Sequence, residues 1–415
     1  MKNNKIIFHI DFDSYFASAH RSINPALKNK PIAIAHNHSA AICSSVSYEL
    51  KRKKVKVGQP KYMVERIEPK TIFIEPDFNL YISLSNQVFE YISRVYTKNI
   101  EVYSIDECWL DVSNLVGNKN PLPLAFEIQQ AILDFFNLPV SIGISHTKWM
   151  AKMATDINKP FGLTYIDTFE DVVKFIHSLP VKDYFGIGES TSKKLQKLNI
   201  NNVGDLASKN PNDVELYKIF RDRTSSYILD ANGEGNDKLD YKHNDLKGIG
   251  NEVTFAGLEL DTRADIYQIL KNLSFKVAKR AQNRNMLAKT VSIVIRNTNG
   301  NWFSKQNVLN YATNDENKIY DFAVNLFEKS WNENPIKGIG VRLNNLENEF
   351  DSFKQLTIFE NSDDTKECKI NNIIKDVNIK LKQKALKTGY QYSREKVRKN
   401  IQSRYIQDDL VRKGE

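Results

Sequence analysis

Two apolar, strand-like runs in this chain carry acids where a buried strand should have none. "HIDFDSYF" (9–16) places Asp11 and Asp13 at the end of the run that starts at Ile6. "YSIDECWLDV" (103–112) places Asp106 and Glu107 side by side. An unpaired carboxylate in an apolar setting normally takes up a proton rather than stay charged. The acids are therefore either exposed at turns or compensated by a cation. On spacing alone the turn reading is favoured, because Asp-Glu pairs are common. If instead both strands deliver their acids to one edge of a sheet, the carboxylates can share a hard cation such as Mg²⁺, which prefers oxygen ligands.

The surrounding pattern gives the fold class. "IIFHID" (6–11), "PIAIAH" (31–36), "AAICSS" (40–45) and "TIFIEP" (71–76) read as strands, with a polar turn at 37–39. Residues 80–96 have apolar positions at helical spacing. "IEVYS" (100–104) and "CWLDVS" (108–113) read as strands on either side of a tight turn. An amphipathic helix over 123–136 and a strand over 139–145 follow. This mixture predicts an α+β layer with an antiparallel sheet. From about 165 the pattern becomes short helices joined by Gly turns. Residues 231–247 are polar and Gly/Asn/Asp-rich, which predicts a linker. A second α/β unit follows, with strands at 250–257, 290–297 and 338–346 and helices at 266–282 and 318–331. A highly charged segment, 360–415, closes the chain.

Composition sets limits on function. The chain has 415 residues, enough for several domains, and a formal net charge of +9, which suits a polyanionic partner such as nucleic acid. Its three cysteines are widely spaced without a CxxC pair, so neither a zinc site nor a disulfide framework is indicated. There is no long apolar run and no signal-peptide pattern, so no membrane association and a cytoplasmic location are expected.

"DFDSYFAS" (11–18), "YSIDECWLDVS" (103–113) and "SIGISHTKWMAKMATDINKPFG" (141–162), in this order, resemble the signature blocks of the Y-family translesion DNA polymerases, the DinB/UmuC group. The similarity runs from about Ile6 to about Leu346, and the tail is most like UmuC-type members. It implies a right-hand polymerase. Palm and fingers would occupy 1–165, with the fingers at about 25–77. A helical thumb with a helix-hairpin-helix would occupy 166–232, a linker 233–247 and an α/β little finger 248–350. A clamp-binding peptide and basic tail would occupy 351–415. The activity implied is template-directed addition of deoxynucleotides to a primer 3′ end in lesion bypass and DNA repair.

By the same resemblance, Asp11, Asp106 and Glu107 are the catalytic carboxylates. Together with the backbone carbonyl of Phe12 they hold two Mg²⁺ ions, with Mn²⁺ able to substitute. Asp13 is expected to be structural. Phe16 matches the steric gate that excludes a 2′ hydroxyl. Tyr15, Ser45, Tyr48, Lys51 and Lys159 fall at nucleotide-binding positions. Lys51 stands where Arg is usual, and a lysine cannot make the planar two-pronged phosphate contact. Cys108 and Trp109 replace Ala and Tyr, Gln59 replaces Met, and His20 replaces Glu. None of these departures touches the three carboxylates.

"FGIGESTSKKLQKLNI" (185–200) resembles a helix-hairpin-helix turn, in which Gly186 and Gly188 let backbone N–H groups meet a DNA phosphate. In the little finger candidate, Arg280 and Arg296 are taken as DNA contacts among several basic residues. "QLTIF" (355–359) looks like the peptide that bacterial replication proteins insert into the β sliding clamp, with Gln355, Leu356, Ile358 and Phe359 as its anchors. Partners implied are primer-template DNA, deoxynucleoside triphosphates, that clamp, and accessory subunits of the UmuD type or a recombinase filament. Two rival readings use the same residues differently. A catalytically inactive DNA- or clamp-binding subunit would have no need of three clustered carboxylates. A palm-fold nucleotidyl cyclase would leave the thumb motif and the clamp peptide without a role.

Overall fold

A computed structural model describes residues 5–38, 41–240, 246–255 and 257–349. The chain divides into two compact units between His243 and Asn244. In chain order the first unit contains strands β1 (Ile7–Phe12), β2 (Ile32–Ile34), β3 (Ser45–Val46), β4 (Ile72–Ile74), β5 (Ile100–Val102), β6 (Glu107–Asp111), β7 (Val140–Ser145) and β8 (Leu163–Tyr165). The second contains β9 (Gly248–Thr254), β10 (Met286–Asn297), β11 (Trp302–Thr313) and β12 (Ile336–Asn348).

The first unit is built on a five-stranded sheet of order β5-β6-β1-β7-β8. β1 is antiparallel to both β6 and β7, and β8 runs parallel to β7. The alternation along β1 assigns its two faces. Phe8, Ile10 and Phe12 enter a large core with Cys108, Leu110, Ile142 and Ile144, closed by the helices Phe78–Val95 and Leu122–Phe136. Ile7, His9 and Asp11 point to the other face, where the helix Lys148–Ile157 lies. That helix comes unusually close. A Cβ on Gly143 would sit 2.1 Å from the Ala151 carbonyl oxygen and 2.3 Å from the Thr155 nitrogen, so no other residue fits there.

A small sheet, β3-β2-β4, stands apart with its own core of Ala33, Cys43, Val46, Leu50 and Val64. The strand expected over 40–45 is mostly loop. Ile42 is exposed and makes only an isolated bridge to Pro60, and pairing is confined to Ser45–Val46. Short helices between residues 169 and 231 share a core containing Tyr184, Leu195, Val203, Leu206 and Tyr227.

The expected linker is partly docked. Lys148 N–H donates to the Asn236 carbonyl at 3.0 Å, Asp240 N–H to Glu101 at 2.6 Å, and Leu239 is buried with Ile7, Trp109 and Ala151. The second unit is a four-stranded sheet, β11-β10-β12-β9, whose core it shares with the helices Arg263–Gln282 and Glu316–Ser330. Strand β11 had not been anticipated. Among the described residues no helix is long and apolar enough to cross a membrane.

Candidate active site

Antiparallel pairing sets Asp11 on β1 directly opposite Glu107 on β6. Directly opposed side chains share a face. Asp106 lies one residue earlier, where Phe12 N–H donates to its carbonyl at 2.9 Å. The adjoining ends of β1 and β6 thus carry all three carboxylates. Phe12 closes β1 beside them.

Each carboxylate has a different environment. Asp106 makes no ion pair among the described residues. Its side chain takes a hydrogen bond from the Ser104 hydroxyl at 2.6 Å. Burial, reinforced by the charges of Asp11 and Glu107, pushes its carboxyl up to about 6 despite Ser104. Burial would raise Glu107 as well, but the His9 ring and the Lys152 ammonium outweigh it and bring Glu107 down to about 2. Lys152 Nζ contacts Glu107 Oε2 and lies 3.4 Å from Asp11 Oδ2. Lys159 Nζ lies 2.8 Å from Asp11 Oδ1 and 2.7 Å from Asp156. Burial opposes the charge on Lys159, yet Asp11 and Asp156 hold its pKa above the ordinary lysine value.

Among the described residues no three His, Cys, Asp or Glu side chains converge as a metal-holding group. Asp11 and Glu107 are turned instead onto lysine ammonium groups. The donor chemistry nevertheless fits a divalent cation. Carboxylate oxygens are the hard ligands Mg²⁺ takes, and the half-buried Asp106 makes no ion pair among the described residues.

The residues expected around a nucleotide are gathered in part. Tyr48 OH donates to Asp13 Oδ1 at 3.0 Å, Lys51 Nζ lies 4.2 Å from the centre of the Tyr48 ring, and Lys159 reaches Asp11. Lys51 and Lys159 are close enough for repulsion to lower the Lys51 pKa, although burial is the larger cause. Phe16 is half-buried, its ring stacked on Tyr81 with centroids 4.1 Å apart and planes 6° from parallel. Tyr15 is buried and donates from its hydroxyl to the Tyr81 carbonyl. Ser45 is buried in β3, and no hydrogen bond among the described residues joins it to this group.

Gly186 has φ +104°, a left-handed value that suits glycine, and its carbonyl accepts the Tyr227 hydroxyl at 3.1 Å. Gly188 precedes the helix Glu189–Gln196. In the second unit, Arg280 donates to the Gly250 carbonyl at 2.7 Å and Arg296 to the Gly300 carbonyl at 3.1 Å. Gln355, Leu356, Ile358 and Phe359 lie outside the described residues.

Sequence reasoning missed Lys152, His9 and Tyr81. Lys152 had one available signal: it lies one residue after Ala151 and three before Thr155, both on the buried face of a short helix.

This fold, with carboxylates at the adjoining ends of two strands of a mixed sheet, a helix-hairpin-helix and a separate α/β unit, defines the Y-family polymerase class. Residues 10–156 match the impB/mucB/samB family, residues 246–358 its C-terminal domain, and residues 170–200 the IMS family HHH motif. A DNA polymerase IV of Oceanobacillus iheyensis is 33% identical over 363 residues, which is 86% of this chain and 85% of that protein. A Y-family DNA polymerase chimera of Dbh type matches with TM-score 0.72 at 26% identity, over 83% of this chain and 99% of its own. The insertion ternary complex of Dbh DNA polymerase matches with TM-score 0.57 at 26% identity, over 83% and 99%. The chain belongs to the impB/mucB/samB family.

Proposed function

We propose that this chain is a DNA-directed DNA polymerase of the Y family that extends a primer 3′ end across damaged template. The observation that carries this reading is the pairing of Asp11 with Glu107 beside Asp106 at the adjoining ends of β1 and β6, with lysines arrayed against them. Family membership supports a divalent-metal-dependent enzyme that uses primer-template DNA and deoxynucleoside triphosphates.

In the finer reading, Asp11, Asp106, Glu107 and the Phe12 carbonyl would hold two Mg²⁺ ions. The chemistry such ions supply is activation of the primer hydroxyl and neutralisation of triphosphate charge. Tyr48, Lys51 and Lys159 would hold the triphosphate, Phe16 would lie under the sugar, and Tyr15 would brace the backbone of Tyr81, whose ring stacks on Phe16. Gly186 and Gly188 would present backbone N–H groups to a template phosphate. The second unit would grip the duplex through basic residues, Arg280 and Arg296 among them, and such contacts weaken as salt rises. The 355–359 peptide would dock on a β sliding clamp, raising the local concentration of primer ends.

Primer extension on a primed template with Mg²⁺ and all four deoxynucleotides tests this, with wild type beside Asp106→Ala and with sliding clamp present or absent. Template-directed extension that disappears in the variant supports the reading. Absence of extension with DNA binding intact would favour an inactive subunit, or one that needs a UmuD-type or recombinase partner.

A further inference from the structure

Asp11 and Glu107 face each other on neighbouring strands, an arrangement in which like charges repel. Their side chains are only 16% and 12% exposed, so water screens the repulsion weakly. A single ammonium group spans them. Lys152 Nζ contacts Glu107 Oε2 and lies 3.4 Å from Asp11 Oδ2, whereas Lys159 reaches Asp11 alone and divides itself with Asp156. Lys152 is itself 9% exposed. Burying an ammonium is costly unless close anions repay it. The helix that carries it is brought within reach by the close approach at Gly143.

We propose that Lys152 is a positioning residue. It is the internal counter-ion of Asp11 and Glu107, holds their side chains together against mutual repulsion in the metal-free protein, and competes with an incoming divalent cation for Glu107. The inference rests on the reading of these acids as cation ligands. A divalent ion and an ammonium that share Glu107 repel each other and draw on the same negative charge, so each weakens the hold of the other. Entry of the cation therefore loosens the Lys152 contact. The affinity for a lone cation is held down by the strength of the Lys152 contact. It rises when triphosphate oxygens join the ligand set, as Mg²⁺ sites built from few carboxylates require. Such a site would fill chiefly when a nucleotide is present.

The test is a Mn²⁺ titration of the full chain without DNA or nucleotide. Free Mn²⁺ is read by electron paramagnetic resonance, and the melting temperature is taken at each concentration. Lys152→Met should bind Mn²⁺ roughly tenfold more tightly than wild type, a coupling of ordinary size. Its melting temperature should fall below wild type without metal and recover at saturating Mn²⁺. Lys152→Arg, which keeps the charge, should bind as wild type does. A purely structural lysine would instead lower the melting temperature equally at every Mn²⁺ concentration with affinity unchanged. That result, or weaker binding in Lys152→Met, overturns the proposal. Should Lys152→Met fail to fold, Lys152→Gln is read by the same criteria. Glu107→Gln separates the two claims. If it binds Mn²⁺ as wild type does, the ligand assignment is what has failed. If it loses binding, the assignment stands and the Lys152 variants decide the rest.

Discussion

The Tyr48 hydroxyl donates to Asp13 Oδ1 at 3.0 Å and ties the helix Tyr48–Arg52 to the turn after β1. Asp13 also accepts the Ser141 hydroxyl at 3.0 Å and the Phe161 N–H at 2.7 Å, while being 1% exposed. Burial raises its carboxyl above the usual range, and these donors only partly offset that. This second acid of the opening block is therefore a clasp. Asp13→Ala leaves three donors without their acceptor and should cost about 2–3 kcal/mol in urea unfolding. Tyr48→Phe removes one donor and should cost about 1 kcal/mol, with a raised KM for the incoming nucleotide in primer extension.

Gly143 is the second structural control point. An added Cβ would collide with backbone atoms of the helix Lys148–Ile157, which cannot swing aside as a side-chain tip can. Gly143→Ala should therefore destabilise by about 3 kcal/mol or more, at the upper end for overpacking. It should also displace Lys152 from Glu107. Calorimetric melting and Mn²⁺ binding, measured on the same preparation, should both change.

The strand β1 was readable as a short apolar run because both of its faces are covered, as its nearly continuous burial shows. The carboxylates as a set were readable through the family blocks, since a lone Asp-Glu pair says little. Strand β11 was not readable. Residues 302–308 are exposed on both sides of this edge strand, so neither face imposes a period. Leu239 was hidden differently: a single apolar residue in a polar run gives no pattern, yet it anchors the expected linker. Lys152 was signalled only by its place beside Ala151 and Thr155 on a short helix, a weak signal because a lysine on a helix is ordinarily solvated. Only the depth at which its helix packs makes it part of the site.

Asp230, at the end of the helix Thr224–Ala231, supplies a pH dependence away from the carboxylate site. Burial pushes its carboxyl up to about 6 even though the Asn236 N–H bonds to it. Between its unfolded value near 4 and about 6, the folded chain holds a proton that the unfolded chain releases. Stability from this group therefore rises as pH falls through that window and is lowest above it. Asp230→Asn removes the buried charge and should raise stability at pH 7 by about 1 kcal/mol, or roughly 2–4 °C in Tm. The gain should shrink toward nothing as pH is lowered from 6 to 4. A gain independent of pH would mean that the charge is not its source.

The Phe16 ring leans on a surface that cannot retreat. Tyr81 lies parallel behind it, is fully buried, and is held by a 2.9 Å hydrogen bond between its hydroxyl and His20 Nε2. Phe78 meets Phe16 edge-on at 5.9 Å. If the sugar of an incoming nucleotide lies over the free face of Phe16, a 2′ hydroxyl has to push the ring into this stack. A close-packed aromatic cluster yields little to such a push. Phe16→Ala should therefore raise the efficiency of ribonucleotide incorporation relative to deoxynucleotide by roughly 10- to 100-fold. Tyr81→Leu should give a smaller shift in the same direction, because the gate ring remains but its support softens. Single-turnover incorporation of matched deoxy- and ribonucleotides on one primer measures both ratios. An unchanged ratio in Phe16→Ala would show that sugar selection in this chain resides in another residue.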